Sequence, residues 1–535
     1  MKIQRTVTKS SIIWGSLAIL AVVVYLFGLT LPLLGPDEPR YAQVAREMFE
    51  RGDWVTPTLG GFHWFEKPAL LYWLQITFYH IFGVGEFAAR FGSALFGLGT
   101  IASLWLLARS LITEKSQNHL RKRVASSPAT NLPPAYAVGS DSTAAGLNTF
   151  PNYLALIAAS SLGILVFSRA ASFDIIVTFP MTASLVSFFI FDRSAEGSRT
   201  KKYLPLVLFY FFIGMSLIAK GLIGILFPFA IVAFYYVLSR RLPSRIFIFS
   251  LVWGLFMTAV VAAIWYLPMY ERNGWEFIDV FIIQHHFIRF SSNKYQHPQP
   301  FFFFLWVLPL MVFPWTAFFF AAVWRAMRGF FRRRGAASRE EREIASAANP
   351  LQLFAYSWLL VPLVFFSLSG SKLPGYILPS VPAAIIITSV FVFELVETGK
   401  RWRKAVISIF IATLLGVAAL LIFAVPKFAD ADSVKSLISA ADARGFAERR
   451  VFMVYTLSHN AEFYAAGRLL RDETGKQKTF YRVEDLVPVL GHENANSALA
   501  LVPVERLALL QRDERIKTEI IEDNTELAIV AISLK

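Results

Sequence analysis

The residues that could do chemistry in this chain fall in short polar stretches between long apolar runs. Asp37, Glu38 and Tyr41 lie in Gly35-Pro-Asp-Glu-Pro-Arg-Tyr41, and Glu66 and Lys67 in Trp64-Phe-Glu-Lys-Pro68. Asp174 heads another apolar run and Lys220-Gly221 separates two more. Gln284-His-His-Phe-Ile-Arg289 and Ser371-Lys-Leu-Pro-Gly-Tyr376 complete the set. Ionisable groups at a membrane boundary are candidates for function. Carboxylates and several cations at one surface can set a general base beside an anion site. Lys and Arg would neutralise a phosphate at the interface. An Asp would take the proton of an incoming hydroxyl, and a cation would stabilise the departing phosphate. The chemistry implied is transfer from a lipid-linked phosphate: on the outer side of a membrane a donor should arrive already activated and carried by lipid.

The elements that must position these residues are set by composition. Of 535 residues, 56% are hydrophobic and only 17% are charged. Soluble domains average about 45–50% and about 25%. Apolar runs cover 11–34, 87–108, 151–168, 175–192, 203–219, 222–238, 245–268, 301–323, 351–369, 375–396 and 405–425. Each approaches the ~20 residues that cross ~30 Å of hydrocarbon, so about eleven transmembrane helices are expected. With the N-terminus in the cytoplasm, alternation leaves half of the 52 Lys and Arg in cytoplasmic segments and about a fifth in outer loops. That asymmetry fixes the topology and accounts for the net charge of +15; no nucleic-acid partner is implied. The chain has no cysteine, which excludes disulfides, thiolate metal sites and Cys nucleophiles.

Residues 1–426 therefore read as a transmembrane domain and 427–535 as a small periplasmic α/β domain. Strands are expected at 451–457, 478–483, 498–504 and 526–534, and helical stretches at 460–470, 484–490 and 504–512. The Ser-, Pro-, Ala- and Gly-rich segment 126–149 reads as a cytoplasmic loop. In the first outer loop, Asp37–Arg51 has a helical pattern with one apolar face, Asp37 suited to cap it and Pro39 suited to its first turn. Leu70–Phe82 reads likewise, and both would lie in the interface plane.

Several stretches carry a family resemblance: Pro36-Asp-Glu-Pro-Arg-Tyr-Ala42, Glu66-Lys-Pro68 with Tyr72-Trp73, Phe82-Gly83, Phe87-Ala-Ala-Arg90, Ala219-Lys-Gly221, Phe313-Pro-Trp315 and Lys372-Leu-Pro-Gly-Tyr-Ile-Leu-Pro379. Together they resemble the membrane glycosyltransferases of the GT-C fold, above all the bacterial aminoarabinose (lipid A) transferases and the protein mannosyltransferases. The likeness covers most of residues 10–400. It implies an inner-membrane enzyme with a polyprenyl-phosphate sugar donor, inversion at the anomeric carbon, and a lipid or protein acceptor on the periplasmic side. It makes Asp37 the acceptor-side catalytic carboxylate and matches Asp174 to a second-loop aspartate, with Glu38 beside them. It puts Lys67 and Arg289 on the donor phosphate, and Lys372 and Tyr376 in the late outer loop near the donor. Lys220 and Tyr41 join the substrate-binding set. Glu66 and His286 fall where a divalent metal would be held; no other cofactor is implied. Gly375 departs from the pattern, since a larger residue is expected before the Tyr.

Each residue also has an ordinary structural role open to it. Asp37 and Asp174 could cap helices, and Glu38 could pair with Arg40 or Arg46. Lys67 could snorkel to headgroups, Lys220 could pair with a helix C-terminus, and Arg289 could bind lipid. His285 and His286 are adjacent on a helix and point apart, so with Glu66 they make an incomplete metal shell. Two other functions fit a polytopic protein, a secondary transporter and a polysaccharide-assembly protein. Transporters carry their charges near the midplane, often in repeated halves; here the charges lie at one surface and no repeat is visible.

Overall fold

A computed structural model describes residues 9–125, 149–194, 199–288, 298–334, 349–493 and 497–535. The loop expected at 126–149 lies almost wholly outside them. The chain forms two compact units. One comprises Met1–Leu26, Ser93–Arg169 and Phe173–Gly416, and the other Phe27–Gly92, Ala170–Ser172 and Val417–Lys535.

The first unit is helical. Each of the eleven apolar runs contains helix, because a chain in hydrocarbon must satisfy its backbone within the segment. Among the described residues seven helices are long and apolar enough to cross a membrane. The others are shorter or broken. The run at 151–168 breaks between Phe150–Ser160 and Leu162–Phe167, and the run at 301–323 between Phe303–Met311 and Thr316–Arg334. The two breaks satisfy each other: Leu162 N–H donates to the Phe313 carbonyl at 2.8 Å, and the Trp315 indole donates to Ser160 Oγ at 3.0 Å. Backbone freed by one break thus finds its partner at the other. The run at 375–396 opens with a 3-10 turn, Pro374–Ser380, before the helix Val381–Thr398.

The second unit joins the first loop to the C-terminal sheet. The first helix ends at Leu26, so Phe27–Leu34 leave it as turns and extended chain. Helices Asp37–Arg51 and Leu70–Phe82 form over the residues expected. Of the apolar face read from the sequence (Tyr41, Val44, Ala45, Met48 and Phe49), the first buries all but Phe49, which is half-buried. Between them is a small antiparallel pair, β1 (Thr58–Leu59) and β2 (Phe62–His63). The Glu47 carboxylate holds this hairpin, accepting from Thr58 Oγ1 at 2.7 Å and the Gly60 N–H at 2.6 Å.

The C-terminal sheet contains β3 (Val451–Val454), β4 (Thr479–Phe480), β5 (Ser497–Pro503), β6 (Ile516–Asp523) and β7 (Leu527–Leu534), in the order β4-β3-β5-β7-β6. β3 runs parallel to β4 and β5, while β5–β7 and β6–β7 are antiparallel. Alternate side chains serve opposite faces. Phe452, Val454, Ala500 and Val530 pack with Leu486 and Leu490, whereas Val451, Met453, Leu499 and Ile529 pack with Leu437 and Ile438. β6 and the helix Lys435–Ala441 were not expected from the sequence. β6 has the exposed-edge pattern of few buried positions, Ile516 and Ile521 among charges, so its periodicity is weak.

Candidate active site

The helix Asp37–Arg51 starts at Asp37 itself. Pro36 occupies the cap position and makes no side-chain cap bond, so Asp37 is not the cap expected of it. Its carboxylate instead accepts from Arg40 Nη2 at 2.6 Å, three residues along the same face, and is 55% exposed. The Arg40 guanidinium also lies over the Trp64 ring, 5.8 Å from its centroid, a cation–π distance. Lys67 is not a snorkelling side chain: its ammonium is mostly enclosed and donates to Glu66 at 3.0 Å. Tyr41 and Tyr72 are buried beside this group. Burial drives both phenol pKa values well above the ordinary value, and the Glu66 charge pushes the same way. The loop therefore assembles one exposed carboxylate, two cations and two buried phenols held neutral.

Glu38 has a different environment. Its partner is neither Arg40, which holds Asp37, nor Arg46, which donates to Glu50 at 2.7 Å. It is Arg90, at 2.9 and 2.7 Å through Nε and Nη2. Arg90 also donates to the carbonyls of Leu29, Leu31 and Pro32. All five guanidinium donors are thereby used. Glu38 additionally accepts from the N–H of Leu34 and of Ala171. Burial alone would raise the Glu38 pKa, but Arg90 and the two backbone donors together lower it. The pair ties the extended segment after the first helix to the start of the Asp37 helix.

In the membrane unit, Asp174 lies in the first turn of Phe173–Arg193, and Lys220 is the last residue of Arg199–Lys220. Lys220 is bonded to Asp174, so its partner is a carboxylate and not a helix terminus. Its ammonium also lies 5.2 Å from the Tyr376 ring centroid. Gly375 explains itself here: a Cβ at that position would come within 1.9 Å of Asp174 Oδ2 and 2.8 Å of Phe167. The larger residue expected before Tyr376 has no room. Lys372 is buried and donates to the carbonyls of Ser369, at 2.6 Å, and Gln299, at 3.0 Å.

The structure thus gathers Asp37, Tyr41, Glu66 and Lys67 in one unit, and Asp174, Lys220 and Tyr376 in the other. Arg289 and the His286 side chain lie outside the described residues. No group of three or more metal-ligating side chains occurs among the described residues. The sequence motifs contain Arg40, Trp64, Tyr72 and Arg90, but sequence reasoning gave none of them a place in the site. Arg90 carried a usable signal, an arginine inside an apolar run; the others are visible only once the loop is folded.

The Dolichyl-phosphate-mannose-protein mannosyltransferase family matches residues 66–117. The undecaprenyl phosphate-alpha-4-amino-4-deoxy-L-arabinose arabinosyl transferase of Aeromonas hydrophila is 28% identical over 405 residues, 75% of this chain and 64% of that protein. The protein of the same name from Yersinia enterocolitica is 31% identical over 366 residues, 68% of this chain and 56% of that protein. The matched region therefore spans less than two thirds of these relatives' length. In fold, the chain is similar to the crystal structure of ArnT from Cupriavidus metallidurans bound to undecaprenyl phosphate. The TM-score is 0.70 at 23% identity, over 98% of both chains. In sequence the chain is thus similar to proteins named as aminoarabinose transferases and, over residues 66–117, to the protein mannosyltransferase family; in fold it shares the architecture of ArnT, with seven helices among the described residues long and apolar enough to cross a membrane.

Proposed function

We propose that this protein is a membrane glycosyltransferase that moves one sugar from a polyprenyl-phosphate donor to a hydroxyl or phosphate oxygen of an acceptor, with inversion. The acceptor is lipid A, another glycolipid or a protein hydroxyl. The observation that carries this reading is sequence similarity across three quarters of the chain to proteins named for an undecaprenyl phosphate-linked donor. The acceptor oxygen attacks the anomeric carbon, the bond from that carbon to the phosphate oxygen breaks, and the polyprenyl phosphate leaves with the electron pair. Where the acceptor is a hydroxyl, its proton passes to Asp37, whose exposed carboxylate suits a base. Lys67 and Arg289 hold the phosphate, and Lys220, Lys372, Tyr41 and Tyr376 contribute to donor and acceptor binding. Asp174 orients one of the two substrates through Lys220. Glu66 and His286 would hold a divalent ion if one is used, and that ion would offset phosphate charge.

The N-terminus is cytoplasmic in this reading, and residues 427–535 form a periplasmic domain. The test is to delete the gene and compare polyprenyl-phosphate sugars, lipid A and periplasmic glycoproteins by mass spectrometry, complementing with wild type and Asp37→Asn. Accumulation of one glycosyl-phosphate lipid with loss of its sugar from one acceptor, reversed by wild type alone, is expected. Unchanged pools with the protein expressed would remove transferase activity and reopen transport.

A further inference from the structure

The C-terminal sheet domain carries no catalytic spacing in its sequence, yet it belongs to the same compact unit as the first loop. The points of attachment are specific. The short helix Ala461–Tyr464 packs against the Asp37–Arg51 helix, with the Arg46 guanidinium 6.0 Å from the Phe463 ring centroid. The Tyr464 hydroxyl accepts from the Leu33 N–H at 2.9 Å and donates to Glu86 at 3.0 Å. Lys435 pairs with the same Glu86 at 2.7 Å. Leu33 and Glu86 are the two ends of the first loop. Arg471, bonded to the buried Glu462, passes under Gly60, and Phe62 packs on Gly475. The neighbouring Leu34 N–H belongs to the Glu38–Arg90 network that starts the Asp37 helix.

We infer that the C-terminal domain is a clamp that positions Asp37, with Tyr464 and Lys435 as the positioning residues that close both ends of the first loop. The inference rests on Asp37 being the acceptor base. A single hydroxyl bridging Leu33 and Glu86 fixes the loop ends relative to each other, and the buried Arg90 hub passes that constraint to the first turn of the helix.

The test uses full-length protein in nanodiscs. Hydrogen exchange is followed at the hydrogen-bonded amides of Tyr41–Ala45, in wild type, Tyr464→Phe, Lys435→Ala, Lys435→Arg and Arg515→Ala. Arg515 is an exposed residue of the sheet domain, bonded to Asp513 and Glu484. Tyr464→Phe and Lys435→Ala should raise exchange at Tyr41–Ala45 about tenfold, the effect of one to two lost hydrogen bonds. Lys435→Arg should restore it, and Arg515→Ala should leave it unchanged. Turnover of the undecaprenyl-phosphate sugar found by the lipid analysis should fall in parallel, with the donor KM unchanged. Unaltered exchange in both Tyr464→Phe and Lys435→Ala would overturn the clamp. Raised exchange in the variants, with a wild type that turns over no such donor, would instead overturn the transferase reading and the role of Asp37 as base, leaving only the hold of the domain on the first loop.

Discussion

Glu38–Arg90, which joins the first loop to the helix Glu86–Ala125 that follows it, and Asp174–Lys220 in the membrane unit are both carboxylate–cation pairs, but they are enclosed to different degrees. The side chains of Arg90 and Glu38 are 5% and 11% exposed, and all five donors of the arginine are occupied. Those of Lys220 and Asp174 are 15% and 19% exposed, and the lysine faces an aromatic ring. A guanidinium whose donors are all used cannot also grip a substrate, so the first pair is architecture. A compact ammonium with three donors, held by one carboxylate and the face of Tyr376, retains the capacity to meet a ligand. Within the first loop the same contrast falls between adjacent residues, since Asp37 is exposed while Glu38 is saturated.

The largest effect expected from this contrast is on turnover at Asp37. Asp37→Asn keeps size and helix position but removes the proposed base, so turnover should fall about 10²–10⁴-fold with the thermal midpoint unchanged. Near-normal turnover would return Asp37 to a structural role. Glu38 should behave in the opposite way. Glu38→Gln or Arg90→Gln leaves one buried charge unpaired, which costs about 3–5 kcal/mol, whereas the double variant removes both charges and should recover most of that loss. Thermal unfolding in one detergent measures all three. Additive losses in the double variant would show that the pair is not a unit.

How much of this was legible in the sequence differs between the same regions. The apolar runs marked each of the seven helices that, among the described residues, are long and apolar enough to cross a membrane, because hydrocarbon imposes length and composition on each span. The breaks at Ser160 and near Phe313 were not legible, since each is stabilised by the other, far away in sequence. Asp37–Arg51 was read to the residue, its pattern of buried positions being strong. The partner of Glu38 was not, because helical spacing offers Arg40 and Arg46 and only the folded loop offers Arg90. Gly375 looked like a departure until the position of Asp174 showed what a side chain would strike. The edge strand Ile516–Asp523 escaped notice because an edge buries too little to leave a period.

Gly375 sharpens the comparison on the membrane side at a smaller scale. Gly375→Ala would push a methyl group into the Asp174 carboxylate and displace it from Lys220. A shift of about 1 Å in a positioned group can cost ~10²-fold, so turnover should drop between tenfold and a hundredfold, while overpacking lowers stability by about 1–3 kcal/mol. Wild-type turnover in Gly375→Ala would mean that the Asp174–Lys220 geometry is not part of the chemistry.

The smallest effect concerns pH and returns to Glu38. Its carboxyl has a folded-state pKa below the ordinary value, after the burial penalty is outweighed by Arg90 and the N–H groups of Leu34 and Ala171. A depressed carboxylate contributes stability that is fully present above the unfolded-state pKa of about 4.3 and is lost as pH falls through the lower folded-state value. Between those limits the unfolded chain binds the proton and the folded chain does not, so stability declines by at most ~1.4 kcal/mol per pH unit for this one group. Wild type should therefore lose thermal stability below about pH 4.3 more steeply than Glu38→Gln/Arg90→Gln, which has no carboxyl to protonate there. Identical slopes would place the acid sensitivity elsewhere and leave the Arg90 hub without a measurable share in it.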